Sequence, residues 1–309
     1  MKKLKSLTLN GTQLTSLPIS LDELAGIDEL SLDDNLLTSL PGNIHQLISL
    51  QSLSLYKNQL TGLPESIWKL TNLRILNLAD NLLSIIPEGI GNLINLRMLD
   101  LGHNQITTLP EGLGNLGSLT FLYLSNNHLG SLPDSFGSLD SLKYLNITDN
   151  QMSLFPEKIG QLKRLIELRL YNNLFTSLPE SIGDLTNLKE LHLMNNRLPF
   201  LPVSIGRLKN LRKFDLGDNG LVSLPRTIGD LDKLNELNLR NNKLASLPES
   251  IGGLMNLRFL DLRANRLISL PNSIENLPNL EKLDLRWNKL SPIPNWLNQL
   301  EQRGCTVYM

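Results

Sequence analysis

A single spacing constrains this chain more than any other feature. A leucine or isoleucine returns every 23 residues, thirteen times, from Leu4 and Ile27 through Leu142 to Leu280, with no insertion or deletion. Each return opens the pattern L-x-x-L-x-L-x-x-N-x-L-x-x-L-P-x-x-I-x-x-L-x-x. A fixed period of this length specifies stacked structural units, each of which contacts only its neighbours. Every repeat has seven apolar slots, such as Leu96, Leu99, Leu101, Ile106, Leu109, Leu113 and Leu116, and all of them hold Leu, Ile, Met or Phe. One repeat cannot bury that much apolar surface alone, so adjacent repeats must share a continuous core.

The remaining constant residues assign local structure. The L-x-L step alternates with period two, which reads as a short strand, and constant register then stacks the strands into a parallel sheet. Asn occupies the ninth slot in twelve repeats, from Asn35 to Asn288, with Thr12 in the first. A polar side chain beside a core must have its hydrogen bonds met, and Asn carries both donors and an acceptor. A ladder bridging adjacent turns is expected. Thirteen of the 16 prolines occupy the L-P slot, from Pro18 to Pro294, and place it outside the strand pairing. The following P-x-x-I-x-x-L segment is too short for a long helix and suits a 3₁₀ turn. Glycine follows the Ile slot in eight consecutive repeats, Gly91 to Gly252, as a positive-φ or tight-packing position.

These residues resemble the leucine-rich repeat family. The unbroken L-P-x-x-I-G-x-L form is similar to the class of Ras-associated scaffolds, Scribble- and erbin-type proteins, plant intracellular relatives and many bacterial proteins. The resemblance runs from Leu4 to Leu300. It implies an α/β fold, a right-handed horseshoe with a parallel concave sheet and short 3₁₀ segments on the convex side. It also implies a protein partner on the concave face, with a small GTPase or another signalling protein as the suggested class. Extracellular animal members carry disulfide-rich caps; this chain has one cysteine, Cys305. With Met1 leading straight into the first repeat, a cytoplasmic protein is expected.

Composition is even along the chain, so one domain is expected over residues 1–309, with 301–309 as a more polar capping strand. Arg303, Thr306 and Tyr308 then stand where leucine would. Net charge is −1, with no basic footprint for nucleic acid. No stretch is apolar enough to span a bilayer. Gly112-Leu113-Gly114-Asn115-Leu116-Gly117 matches G-x-G-x-x-G, but Leu113 and Leu116 are core slots, so it is no dinucleotide fingerprint. The four histidines sit in different repeats and slots, so no converging metal ligands, cofactor or catalytic constellation is expected. Leu4, Leu7 and Leu9 form a first strand with an open apolar edge, which predicts either a native chain that extends further at this end or self-association through it.

The informative positions are the exposed strand slots. One slot reads Ile75, Met98, Phe121 and Tyr144 in successive repeats. With Tyr56, Tyr123 and Tyr171 these predict an apolar-aromatic binding patch, since Tyr and Trp are favoured at interaction centres. Towards the C-terminus the same face carries Asp215, Asp261 and Asp284 beside Arg240, Arg263 and Arg286, with Trp287 following. These charges form either a self-paired lattice or a rim that steers a partner. Two other classes fit the pattern. One is the recognition domain of a larger signalling enzyme or bacterial effector; the other is a glycan-binding adhesin or receptor.

Overall fold

The L-x-L step forms strands only three residues long, because the Asn turn ends each one at once. The computed structural model describes residues 4–17 and 20–309. Pro18, the first of the proline series, lies outside the described residues. The chain divides into two compact units, Met1–Gln151 and Met152–Met309.

The first unit contains β1 (Ser6–Thr8), β2 (Glu29–Ser31), β3 (Ser52–Ser54), β4 (Ile75–Asn77), β5 (Met98–Asp100), β6 (Phe121–Tyr123) and β7 (Tyr144–Asn146). Each pairs in parallel with the next at a register of one repeat, as in Leu76↔Leu99 and Leu99↔Leu122. In the second unit β8 (Glu167–Arg169), β9 (Glu190–His192), β10 (Lys213–Asp215), β11 (Glu236–Asn238), β12 (Phe259–Asp261) and β13 (Lys282–Asp284) repeat the arrangement. The helix α1 (Leu297–Gln302) and strand β14 (Thr306–Tyr308) close it. Behind the strands, five-residue 3₁₀ turns such as Glu88–Asn92 and Glu180–Asp184 each start directly after the proline of the L-P slot.

Slot leucines fill the core. Among the described residues, the slots that are not buried are Leu4, Leu7, Leu9, Leu14 and Leu24 in the first repeat, Leu290 and Ile293 in the last, and Leu63. The asparagines form the expected ladder. Asn104 donates from Nδ2 to Leu78 O of the preceding repeat (3.0 Å) and to Leu101 O of its own (3.1 Å), while its Oδ1 accepts from Leu83 N (3.0 Å). Thr12, at the start of the series, has a single hydroxyl, which lies 2.8 Å from Leu9 O and 3.1 Å from Asn35 Oδ1.

Two further ladders accompany it. Asn72, Asn95, Asn187, Asn210, Asn256 and Asn279, which stand just ahead of their strands, each donate to a backbone carbonyl of the preceding repeat, as in Asn72 Nδ2 to Ile48 O at 2.8 Å. Glutamates following the proline cap the next 3₁₀ turn. Glu88 accepts from Gly112 N (2.6 Å) and Glu180 accepts from Ser204 N (3.0 Å). The Ser204 side chain, more than these backbone bonds, favours the ionised form and holds the Glu180 carboxyl below its ordinary range, against an opposing effect of burial.

The glycines that follow the Ile slot are packing positions, not positive-φ positions. A Cβ on Gly206 would lie 2.5 Å from Thr227 O, and one on Gly91 would lie 2.6 Å from Gly112 O. The left-handed backbone falls elsewhere, at the residue preceding each ladder Asn, from Asp34 (φ 54) to Trp287 (φ 62). Asp and Asn fill most of these positions because their short side chains tolerate that conformation.

The C-terminal strand differs in register from the expected one. Val307, not Thr306 or Tyr308, pairs with Leu283 and takes the core-facing place. The last turn is an α-helix that ends in a Schellman arrangement. Gly304 is left-handed (φ 92), Gly304 N donates to Glu301 O (2.9 Å), and Cys305 N donates to Leu300 O (3.0 Å). That cap adds one residue, and a one-residue slip exchanges the two faces of a strand. Cys305 is buried beside Leu300, and burial raises its thiol pKa.

Candidate interaction surface

Alternation along each strand decides which side chains face out. In β6 Leu122 is fully buried, so Phe121 and Tyr123 flank it on the opposite face. The in-register pairs Ile75↔Met98, Met98↔Phe121 and Phe121↔Tyr144 set those four side chains in one row. Phe121 is 42% exposed, and Tyr56 and Ile75 are also exposed. Tyr144 joins the row to its neighbours: its ring centroid lies 4.9 Å from that of Tyr123 and 6.5 Å from that of Phe121, with interplanar angles of 40° and 42°. Tilted pairs at these distances hold one another in place. The first unit therefore presents a preorganised aromatic surface around Phe121, Tyr123 and Tyr144. Asp100, beside Tyr123 in register, is partly desolvated; burial raises its carboxyl pKa, opposed by a hydrogen bond from Gly102 N.

Tyr171 stands half-buried in the second unit. Three arginines of that unit, Arg240, Arg263 and Arg286, already have partners. Arg240 Nη2 meets Asp218 Oδ2 at 3.1 Å, Arg263 meets Asp261 at 2.5 Å, and Arg286 meets Asp284 at 2.6 Å. Arg286 also lies over the rings of Trp287 (5.5 Å) and Tyr308 (5.0 Å). Arg240, Arg263 and Trp287 line a surface hollow of about 350 Å³ with Asp218, Asn241 and Ala264. Trp287 sits in the left-handed turn beyond β13, not on the strand itself.

Asp284 is the anchor of this charge group, with a side chain only 1% exposed. Burial alone would raise its carboxyl pKa, but hydrogen bonds from Arg286 and the charges of Arg286 and Arg263 outweigh it and hold the group below the usual range. A depressed folded-state pKa contributes stability that is present above the unfolded value of about 3.9 and is lost as pH falls through the folded one. Urea unfolding between about pH 5 and 2 should therefore show acid loss of stability in the second unit. Asp284→Asn should make that slope shallower; an unchanged slope would mean other carboxylates dominate.

One convergence was not expected from scattered histidines. Glu167, Glu190 and His192 bring one ligand atom each within 4.8 Å of one another. Parallel register is the cause, since Glu167 pairs with Glu190 and Arg169 with His192. Arg169 Nε holds Glu167 Oε1 at 2.5 Å, and His192 Nε2 lies 3.1 Å from Glu190 Oε2, so the group is already joined by its own contacts.

Known proteins place this architecture. The leucine-rich repeat region family matches residues 64–143 and 134–217, and the leucine rich repeat family matches 25–83, 209–267 and, in a further form, 279–300. A leucine-rich repeat protein of Leptospira interrogans is 36% identical with a TM-score of 0.80, across 100% of this chain and 84% of that one. The chain belongs to the leucine-rich repeat family. Two further solved structures share less identity with this chain. An internalin of Listeria monocytogenes is 26% identical, with a TM-score of 0.70 over 94% of this chain and 88% of its own. The plant peptide hormone receptor RGFR1, solved in complex with RGF2, is 28% identical, with a TM-score of 0.74 over 99% of this chain and 58% of that chain. No curated protein matches the sequence. Among the described residues of this leucine-rich repeat protein, no helix is long and apolar enough to cross a membrane.

Proposed function

We propose that this leucine-rich repeat protein is a non-enzymatic interaction scaffold that docks a protein or peptide on the exposed face of its sheet, centred on Phe121, Tyr123 and Tyr144. The observation that carries this reading is the mutually packed aromatic cluster, held on rigid strands and facing away from the core. Rigid aromatic side chains give large contact area at small entropic cost, and they dominate interface energetics. The plant receptor with its peptide supports a peptide or protein occupant over a small molecule. Resemblance to the Ras-associated scaffold class favours a cytoplasmic setting and a signalling partner such as a small GTPase. The single, buried Cys305 agrees with a reducing compartment.

Phe121→Ala and Tyr144→Ala are each expected to weaken partner binding by about 1–3 kcal/mol, the range for interface hot spots, with little change in melting temperature. Isothermal calorimetry on the two variants checks this. Binding equal to that of the parent would move the site off this face.

A second surface is the open edge of β1, where Leu4 is 53% exposed and Leu7 and Leu9 are only half-covered. Uncovered strand edges pair with other chains. Light scattering at rising concentration should show association that Leu7→Lys reduces; a concentration-independent monomer would remove this surface from consideration.

A further inference from the structure

Beside the aromatic row, the first unit has a polar groove of about 530 Å³ lined by Arg74, Arg97, Asn72, Asn95, Gln51 and Ser118, among others. Arg74 and Arg97 immediately precede Ile75 and Met98, so they occupy adjacent rungs of one row along the edge of the strands. Arg97 N donates to Arg74 O at 2.7 Å, which fixes that adjacency. Two like charges on neighbouring rungs repel. Among the described residues neither arginine has a carboxylate partner.

In two other repeats a basic residue of this slot has a carboxylate on the next rung. Arg258 is clasped by Glu281 on the next rung through two bonds, Nε to Oε1 at 2.6 Å and Nη2 to Oε2 at 3.0 Å. Lys5 pairs with Asp28 on its next rung at 2.8 Å. The Arg74–Arg97 pair has the same rung geometry without the carboxylate. Asp28, the acid lining the groove, is already taken by Lys5. Guanidinium groups prefer planar, two-point contacts with carboxylates.

We infer that the Arg74–Arg97 rungs bind a carboxylate supplied by the partner, so that the occupant of the sheet face is an acidic peptide segment. Its carboxylate sits in the groove while a neighbouring aromatic or aliphatic side chain lies on Met98, Phe121 and Tyr144. This inference rests on the proposed binding face and specifies its partner chemistry.

The test is selection of a random-peptide display library on the intact chain, with wild type, Arg97→Glu and Phe121→Ala compared. Arg97→Glu supplies the missing carboxylate in cis, reproducing the Arg258–Glu281 pair, so the variant is expected to fold normally by circular dichroism. Wild type should enrich peptides with Asp or Glu next to an aromatic or aliphatic residue. Arg97→Glu should lose their binding by about tenfold or more, and Glu→Gln versions of the selected peptides should bind wild type as weakly. Selected peptides that lack acidic residues, or that bind Arg97→Glu as tightly as wild type yet fail on Phe121→Ala, would overturn the carboxylate site and leave the aromatic face standing. No enrichment on wild type would overturn both. Competition of the selected peptides by inorganic phosphate with no loss in their Glu→Gln versions would assign the groove to free anions and overturn the peptide reading.

Discussion

Leu145→Ala should lower the unfolding free energy by about 2–5 kcal/mol, the cost of removing a buried leucine and leaving a cavity. Leu145 lies in β7, is fully buried, and pairs in register with Leu122. Its slot recurs in every strand, so neighbouring repeats cannot collapse into the space without breaking their own register. Urea unfolding followed by circular dichroism measures the effect. Because repeats couple only to their neighbours, the loss should fall mainly on the repeats on either side of Leu145. A change below about 1 kcal/mol would contradict the assignment of the slot as core.

Asn104→Ala should cost about 1–3 kcal/mol, although Asn104 contributes almost no apolar burial. Its amide meets Leu83 N, Leu78 O and Leu101 O, all within the buried turn. Removing it strands the buried Leu83 N–H, which costs about 1–3 kcal/mol where no substitute partner forms, while Leu78 O and Leu101 O keep their bonds from Asn81 and Asn127. Thr12→Ala, at the start of the series with one carbonyl to satisfy, should cost distinctly less. Equal effects at the two positions would mean that the ladder is not cooperative between repeats.

Much of this architecture was legible in the residues themselves. The leucine slots, the Asn ladder and the turn after the proline follow from the repeat, because burial and hydrogen-bond satisfaction act locally and recur. What was not legible depends on contacts between repeats or on a change of local geometry. The glycine row needed its neighbours: only the approach of Thr227 O shows that Gly206 is kept small by packing. The Glu88 and Glu180 caps act on the following repeat, and their signal, a glutamate after the proline, is visible only once the turns are stacked. The core-facing place falls to Val307 instead of Thr306 or Tyr308 because a six-residue α-helix with a glycine cap replaces the usual 3₁₀ turn and shifts the strand by one residue.

The proposed binding face divides in the same way. The row Ile75, Met98, Phe121 and Tyr144 was readable because parallel register maps one slot onto one line. The state of Arg286 was not, since its engagement with nearly buried Asp284 and two aromatic rings is a matter of rotamers. Arg286→Glu would therefore place two carboxylates together and cost stability, as well as altering association rate. Arg74 and Arg97 are not legible in the sequence for the opposite reason. Their significance is a missing partner, and that shows only against the Arg258–Glu281 pair.

The exposed aromatic face of the first unit is the proposed docking site for a partner. Site-specific photo-crosslinking tests it most directly, with a benzophenone amino acid placed at Phe121 on that face and, as a control, at Ile94, which is exposed on the turn behind the strands. Expected is a discrete, saturable adduct from Phe121 in extract of the source cells, competed by unlabelled protein and absent from Ile94. Adducts of equal yield from both positions, or from Ile94 alone, would contradict it.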